Sequence, residues 1–218
     1  MACKTDLIDK LNHVILLTGF KNQSMASLAQ AIHMSRATLY LYFKNKDDIV
    51  HCVLARHCEF IHDHEIPLSE EPAALARNFV SVTLNVLLIS GCTTALFRQE
   101  LKAYDPDCYT QFSQAYAAYI KRAQRFYELA QAKHVMSVAV APDYLIFQHQ
   151  TIASQILEQT LAQKITETQA EYYFDQYLNT QMTLLVLPKY RCHLRSAPLT
   201  TFHQQISDRF HAVFPLAQ

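Results

Sequence analysis

Apolar residues recur three and four apart along most of the chain, the spacing that lays one hydrophobic stripe along an α-helix. Leu7, Ile8, Leu11, Val14 and Ile15 make such a stripe and predict a first helix from about Thr5 to Thr18, with Gly19 where a helix can end in the left-handed region. Met25, Leu28, Ala29 and Ile32 follow Ser24, while Leu39 and Phe43 follow Ser35. Each serine hydroxyl can accept from a first-turn backbone N–H, so two short helices are predicted, separated by Ile32, His33 and Met34. That arrangement is a helix-turn-helix. Asn45 caps a fourth helix reaching about His64, and Asp47 and Asp48 in its first turn suit the positive end of the helix dipole.

The pattern continues beyond Pro67 and Pro72, which bracket a connection. Leu75, Phe79, Val82, Val86 and Ile89 predict a buried helix ending at Ser90 and Gly91, and a short helix from Thr94 to about Tyr104 stops before Pro106. Proline is well placed in a first helical turn, so Pro106 opens a long helix striped by Tyr109, Phe112, Tyr116, Tyr119, Phe126 and Ala130. Pro142 and Asp143 begin a helix to about Lys164, and Glu167 to Leu187 makes another. Lys189 to Pro198 reads as a loop, and Leu199, Phe202, Ile206, Phe210 and Val213 as a last amphipathic helix. With two glycines and no Asn-Gly or Asp-Gly hairpin signal, the expected fold is all-α. It comprises a helix-turn-helix domain over residues 1–48 and a helical ligand-binding and dimerisation domain over 49–218.

Composition narrows this picture only slightly. Half of the 218 residues are apolar, enough for a substantial core, and the formal net charge is zero. Residues 1–51 carry six basic side chains against four acidic ones, a local +2 that the rest of the chain balances. Six cysteines without a C-x-x-C pair, and an N-terminus without a secretory apolar region, lead us to expect a soluble chain in a reducing cytoplasm. The most apolar run, Val80 to Ile89, is about half the length of a membrane span.

The chemistry concentrates in residues 24–50, SMASLAQAIHMSRATLYLYFKNKDDIV. A third helix starting at Ser35 would present Ser35 and Thr38 as short hydroxyls, Arg36 as a fork for a guanine edge or phosphate, and Tyr40 and Tyr42 to backbone oxygens. Lys44 and Lys46 follow at a helix start, where free N–H groups suit a phosphate. The string LAQAIHMSRATLYLYFKNKDDIV, with its Ser-x-x-Thr-Leu-Tyr-x-Tyr-Phe core, resembles the DNA-binding segment of the TetR family of bacterial transcriptional regulators. By that resemblance Ser35, Arg36, Ala37, Thr38, Tyr40, Leu41 and Tyr42 lie on or beside the recognition helix, and Ser24, Lys44 and Lys46 are backbone anchors. Two positions depart from the family pattern where glycine is usual, His33 in the turn and Ala37 on the helix, and Leu41 stands at a commonly polar position, where it suits a thymine methyl.

The resemblance implies a double-stranded DNA operator, a small-molecule effector and a homodimer joined through the helices 143–164 and 167–187. The second of these has two apolar faces: Tyr173, Tyr177, Leu184 and Leu187 on one, Phe174, Leu178, Met182 and Leu185 on the other. Phe79, Phe97, Phe112, Tyr116, Tyr119, Phe126 and His149 are candidates for lining an effector pocket, although aromatic stripes at helical spacing also build plain core. The run from His51 to Glu65 holds four histidines and two cysteines, among which Cys58 and His62 share a helix face and are the metal candidates, without a closed metal motif. No phosphate loop, G-x-S-x-G, H-E-x-x-H or G-x-G-x-x-G occurs, so neither an enzyme nor a cofactor is expected. The leading expectation is a ligand-responsive dimeric repressor; alternatives are a metal-responsive regulator using the fourth helix and a DNA-binding factor without an effector.

Overall fold

A computed structural model describes residues 4–194, and these form an all-α protein. The head contains α1 (Lys4–Thr18), α2 (Met25–Ala31) and α3 (Arg36–Tyr42), and α4 (Lys46–Asp63) leads from it into the body. The body comprises α5 (Pro72–Ser90), α6 (Ala95–Tyr104), α7 (Pro106–Ala132), α8 (Pro142–Leu161) and α9 (Glu167–Leu185), followed by a 3₁₀ turn (Pro188–Tyr190) and α10 (Arg191–Leu194). Among the described residues, one isolated antiparallel bridge joins Met136 to Val186.

The helix starts follow from the residues that precede them. Ser24, Ser35, Asn45, Thr94, Asp105 and Thr166 each accept a first-turn backbone N–H through a side-chain oxygen, and prolines occupy the first turns of α5, α7 and α8. The ends are less conventional. Gly19 closes α1 at φ +71°, but His33, His134 and Gln163 also adopt left-handed backbone, at φ 55°, 55° and 56°. Behind each lies the pair of bonds of a Schellman closure; at His33 these run from His33 N–H to Gln30 C=O and from Met34 N–H to Ala29 C=O. Gln163 does the same for α8, which is why that helix stops at Leu161 rather than near Lys164. α9 stops at Leu185 because Val186 turns extended and pairs with Met136. The expected loop after Lys189 contains the short α10, packed on α5, and the expected helix from Leu199 to Val213 lies outside the described residues.

Helix α5 sits at the centre of the body, packed by α7, α8, α9 and α10. By length and composition it could cross a membrane, longer than the run Val80 to Ile89 suggested, yet 72% of its most apolar stretch is buried inside the fold. Its surroundings explain its composition. Phe79, Phe126 and Tyr127 interlock edge-on or tilted with centroids 5.7–6.4 Å apart, each fully enclosed. Burying one such aromatic side chain is worth about 1.5–3 kcal/mol.

Candidate nucleic-acid interface

In the head, Leu28, Leu39 and Phe43 are buried and seat α2 and α3 against α1, so the remaining face of α3 points outward. Ser35 Oγ accepts from the Thr38 N–H at 3.0 Å and lies 2.7 Å from Thr38 Oγ1, which places both hydroxyls at the helix tip. Ser35, Arg36, Ala37, Tyr40 and Leu41 are exposed, and Thr38 and Tyr42 are partly covered. Leu41 is 82% exposed, a large apolar side chain left largely uncovered by the described residues. The Arg36 guanidinium lies over the Tyr40 ring, 5.4 Å from its centroid, and its Nη2 is 3.4 Å from the Tyr40 hydroxyl. Stacking of this kind holds the planar fork in one orientation on the exposed face of the helix.

The flanks divide. Ser24 caps α2 in a reciprocal box with Ser27, leaving the N-terminal end of that helix exposed. Lys44 is exposed, whereas the Lys46 ammonium donates to the carbonyls of Phe20 and Lys21, 3.2 Å from each, and lies over the Tyr104 ring. The same α1–α2 loop is gripped from the body. Glu100 Oε2 on α6 accepts from the backbone N–H groups of Phe20, at 2.6 Å, and Lys21, at 2.9 Å. A Cβ at Gly19 would lie 2.6 Å from that oxygen, so this loop needs glycine both for its φ and for the approach of the carboxylate. Asp9 on α1 pairs with Arg56 on α4, Tyr104 donates to Asp47, and buried His57 meets Asn12 Oδ1 at 3.2 Å. Burial, and then the charge of Arg56, push His57 down to about 4, so it is a neutral donor here.

The expected pocket residues come together only in part. Phe79, Phe126 and His149 meet at the centre of the body, with Phe112 and Tyr116 paired further along α7 and Tyr119 buried on the same helix. Phe97 lies elsewhere, against Phe20 and His57 beneath the head. His149 belongs to a buried polar chain: Thr83 Oγ1 to Tyr127 OH at 3.0 Å, Tyr127 OH to His149 Nε2 at 3.1 Å, and His149 Nδ1 to Tyr177 OH at 3.0 Å. Burial pushes His149 down to about 3 and pushes the Tyr127 and Tyr177 hydroxyls up, so every member stays neutral. Tyr177 also opens onto a groove of about 410 Å³ between α8 and α9, lined by Ile152, Gln155, Ile156, Ile165, Tyr173 and Gln181 among others. A smaller cavity of about 180 Å³ lies beside Arg56, His57, Phe60, His64 and Cys92. Neither is lined by the expected pocket residues. Tyr127, Thr83 and Glu100 carried no sequence signal, and Tyr177, expected on an apolar face with Tyr173 and Leu184, carried none for its bond to His149, because the partners lie 22–80 residues away. Among the described residues, the three metal-ligating side chains that converge are His51, Asp105 and Cys108, without Cys58 or His62.

An exposed recognition helix on a compact three-helix head, joined to a larger helical body, defines a helix-turn-helix DNA-binding regulator. Residues 7–53 match the model for bacterial regulatory proteins of the tetR family. That segment is therefore a TetR-type DNA-binding domain. The fold agrees: the chain is similar to the crystal structure of apo AibR (TM-score 0.53, 13% identity, covering 82% of this chain and 97% of that one). It is also similar to a protein described as a transcriptional regulator from Saccharomonospora viridis in complex with choline (TM-score 0.51, 18% identity, 84% and 97%). No curated protein matches the sequence.

Proposed function

We propose that the protein is a dimeric repressor that reads a two-half-site operator through α3 and is released by a small molecule bound in the body. The observation that carries this reading is the outward face of α3, where Arg36, Tyr40 and Leu41 project from a unit held by Leu39 and Phe43. The domain division at residue 48 goes with it: residues 1–48 read, and the remainder pairs and responds. Ser35, Ala37, Thr38 and Tyr42 complete the reading surface, Ser24 and Lys44 contact phosphates, and Lys46 supports the loop between α1 and α2.

Pairing is assigned to α8 and α9. Their outward faces expose Tyr144, Phe147, Tyr172, Tyr173 and Leu184, while Phe174, Leu178 and Leu185 face the core. Apolar side chains on two adjacent helices, self-complementary about a twofold axis, suit an isologous four-helix interface. The choline complex of the Saccharomonospora viridis protein supports an effector held in a helical body of this kind. We assign it to the aromatic centre around Phe79, Phe112, Tyr116, Tyr119, Phe126 and His149.

The test is selection of bound sequences from random duplex DNA, followed by anisotropy titration at fixed salt. A palindromic pair of half-sites is expected for the wild type, and a monomer bearing Phe147→Arg and Leu184→Arg should lose at least tenfold in affinity for that pair. Absence of saturable DNA binding overturns the reading, and a wild-type monomer in light scattering overturns the dimer.

A further inference from the structure

The seam between α4 and the start of α7 holds a second constellation. His51 lies in the second turn of α4, Asp105 caps α7, and Cys108 sits in its first turn. One imidazole nitrogen, one carboxylate oxygen and Sγ all lie within 4.8 Å of one another. Asp105 is fixed independently of any ligand, since its Oδ1 accepts from the Cys108 N–H at 2.9 Å. Its Oδ2 is left facing His51 Nε2, 3.0 Å away. Both carboxylate oxygens are thus oriented, one by the Cys108 backbone and one toward the imidazole.

We propose that His51, Asp105 and Cys108 form a binding site for a divalent transition metal of the zinc type. An imidazole, a carboxylate and a thiolate together suit a borderline cation, whereas calcium and magnesium select oxygen donors alone. Three protein ligands leave a fourth tetrahedral position for water. Metal–donor bonds of about 2.0–2.3 Å put tetrahedral donors roughly 3.3–3.7 Å apart, so His51 Nε2 and Asp105 Oδ2, now 3.0 Å apart, open slightly, and Cys108 Sγ, within 4.8 Å of both, moves in by no more than about 1.5 Å. Exposed His51 and half-buried Cys108 have room for that adjustment. On binding, the Cys108 Sγ–H bond breaks and its proton goes to solvent as the Sγ–metal bond forms; the His51 Nε2–H that faces Asp105 Oδ2 gives up its proton to solvent, Nδ1 takes one from solvent, and the neutral ring binds through the freed Nε2.

The site ties the helix that supports the reading head to the body. The Tyr104–Asp47 hydrogen bond and the Lys46–Tyr104 contact lie on the same seam. Drawing α4 toward α7 therefore biases the position of the head, an input separate from the aromatic centre of the body. That consequence rests on the DNA-binding reading; metal binding itself does not.

The experiment is titration of the full, untagged, reduced protein with Co²⁺ followed by absorption, then with Zn²⁺ by calorimetry. One metal per chain with a thiolate-to-cobalt charge-transfer band is expected. Cys108→Ser should remove the band, and His51→Gln should weaken Zn²⁺ binding by at least about tenfold. His62→Gln and Cys192→Ser should leave both readouts unchanged, and thermal melts without metal confirm that all variants fold. No saturable binding, or binding that survives Cys108→Ser, overturns the site. With operator DNA, saturating Zn²⁺ should change affinity at least about threefold in the wild type and not in Cys108→Ser; no change in either overturns the coupling. Failure of all DNA binding would instead strike the regulator reading, because the cobalt band is read without DNA.

Discussion

The head and the body use the same polar side chains in opposite ways. In the head, Ser35, Thr38, Arg36 and Tyr40 stand on the surface of a seven-residue helix, and a few buried apolar residues hold that helix in place. In the body, Thr83, Tyr127, His149 and Tyr177 are linked inside the bundle, where each is paired and kept neutral. A tyrosine at position 40 is therefore available to a partner, and one at position 127 is a structural member of the core. Substitutions should separate the two regions: those at the exposed Arg36 and Tyr40 change affinity while leaving stability, and those at the centre of the body do the reverse.

The largest expected effect is at the body's centre. Phe126→Ala should lower the unfolding free energy by about 3–5 kcal/mol in urea titrations, through lost burial and the cavity left behind, while the folded fraction keeps its DNA affinity. Acid should come next. His57 and His149 have folded pKa values of about 4 and about 3, below the roughly 6.5 of an unfolded histidine. The unfolded chain therefore binds more protons in this window, and their contribution, complete above about pH 6.5, falls away as the pH drops toward 4 and 3. Melting curves across that range should flatten in His57→Gln and His149→Gln relative to wild type; equal slopes would show that these rings do not stay neutral.

On the head, Arg36→Ala should weaken operator binding by about 1–3 kcal/mol, roughly tenfold to a hundredfold, with an unchanged melting temperature. A drop in stability of similar size would mean that Arg36 is a packing residue and would erase the contrast. The smallest effect is at the caps: Ser35→Ala should cost about 1 kcal/mol of stability, because the Thr38 N–H loses its acceptor.

The head was legible because its signals are local. Ser24, Ser35 and Asn45 act within three residues of themselves, and the alternation of Leu39 and Phe43 with exposed neighbours can be read from spacing alone. His33, at a turn position where glycine is usual, takes the left-handed backbone that glycine would supply. The body's helices were equally visible, but their internal chemistry was not. Whether His149 lines a pocket or joins a buried chain depends on Tyr127 and Tyr177, which reach it from other helices. Phe97 was grouped with the central aromatics because it is apolar and nearby in sequence; α6 packs on α1 and carries it under the head instead. Lys46 looked like a phosphate anchor from its place at a helix start, and its bonds to Phe20 and Lys21 arise from a loop 25 residues earlier. The metal candidates within α4 share one helix face, whereas the donors that converge come from α4 and α7.

Among the described residues, three helices are terminated by side chains held in a backbone region that only glycine enters freely, His33, His134 and Gln163. Such a residue carries a strain of roughly 1–2 kcal/mol. The protein thus operates below the thermal ceiling its topology allows, and glycine at His134 or Gln163, far from the reading surface, would raise that ceiling without altering what the molecule recognises. At His33 the same exchange would tune how stiffly α3 is presented, making the turn a dial for the head rather than a fixed joint.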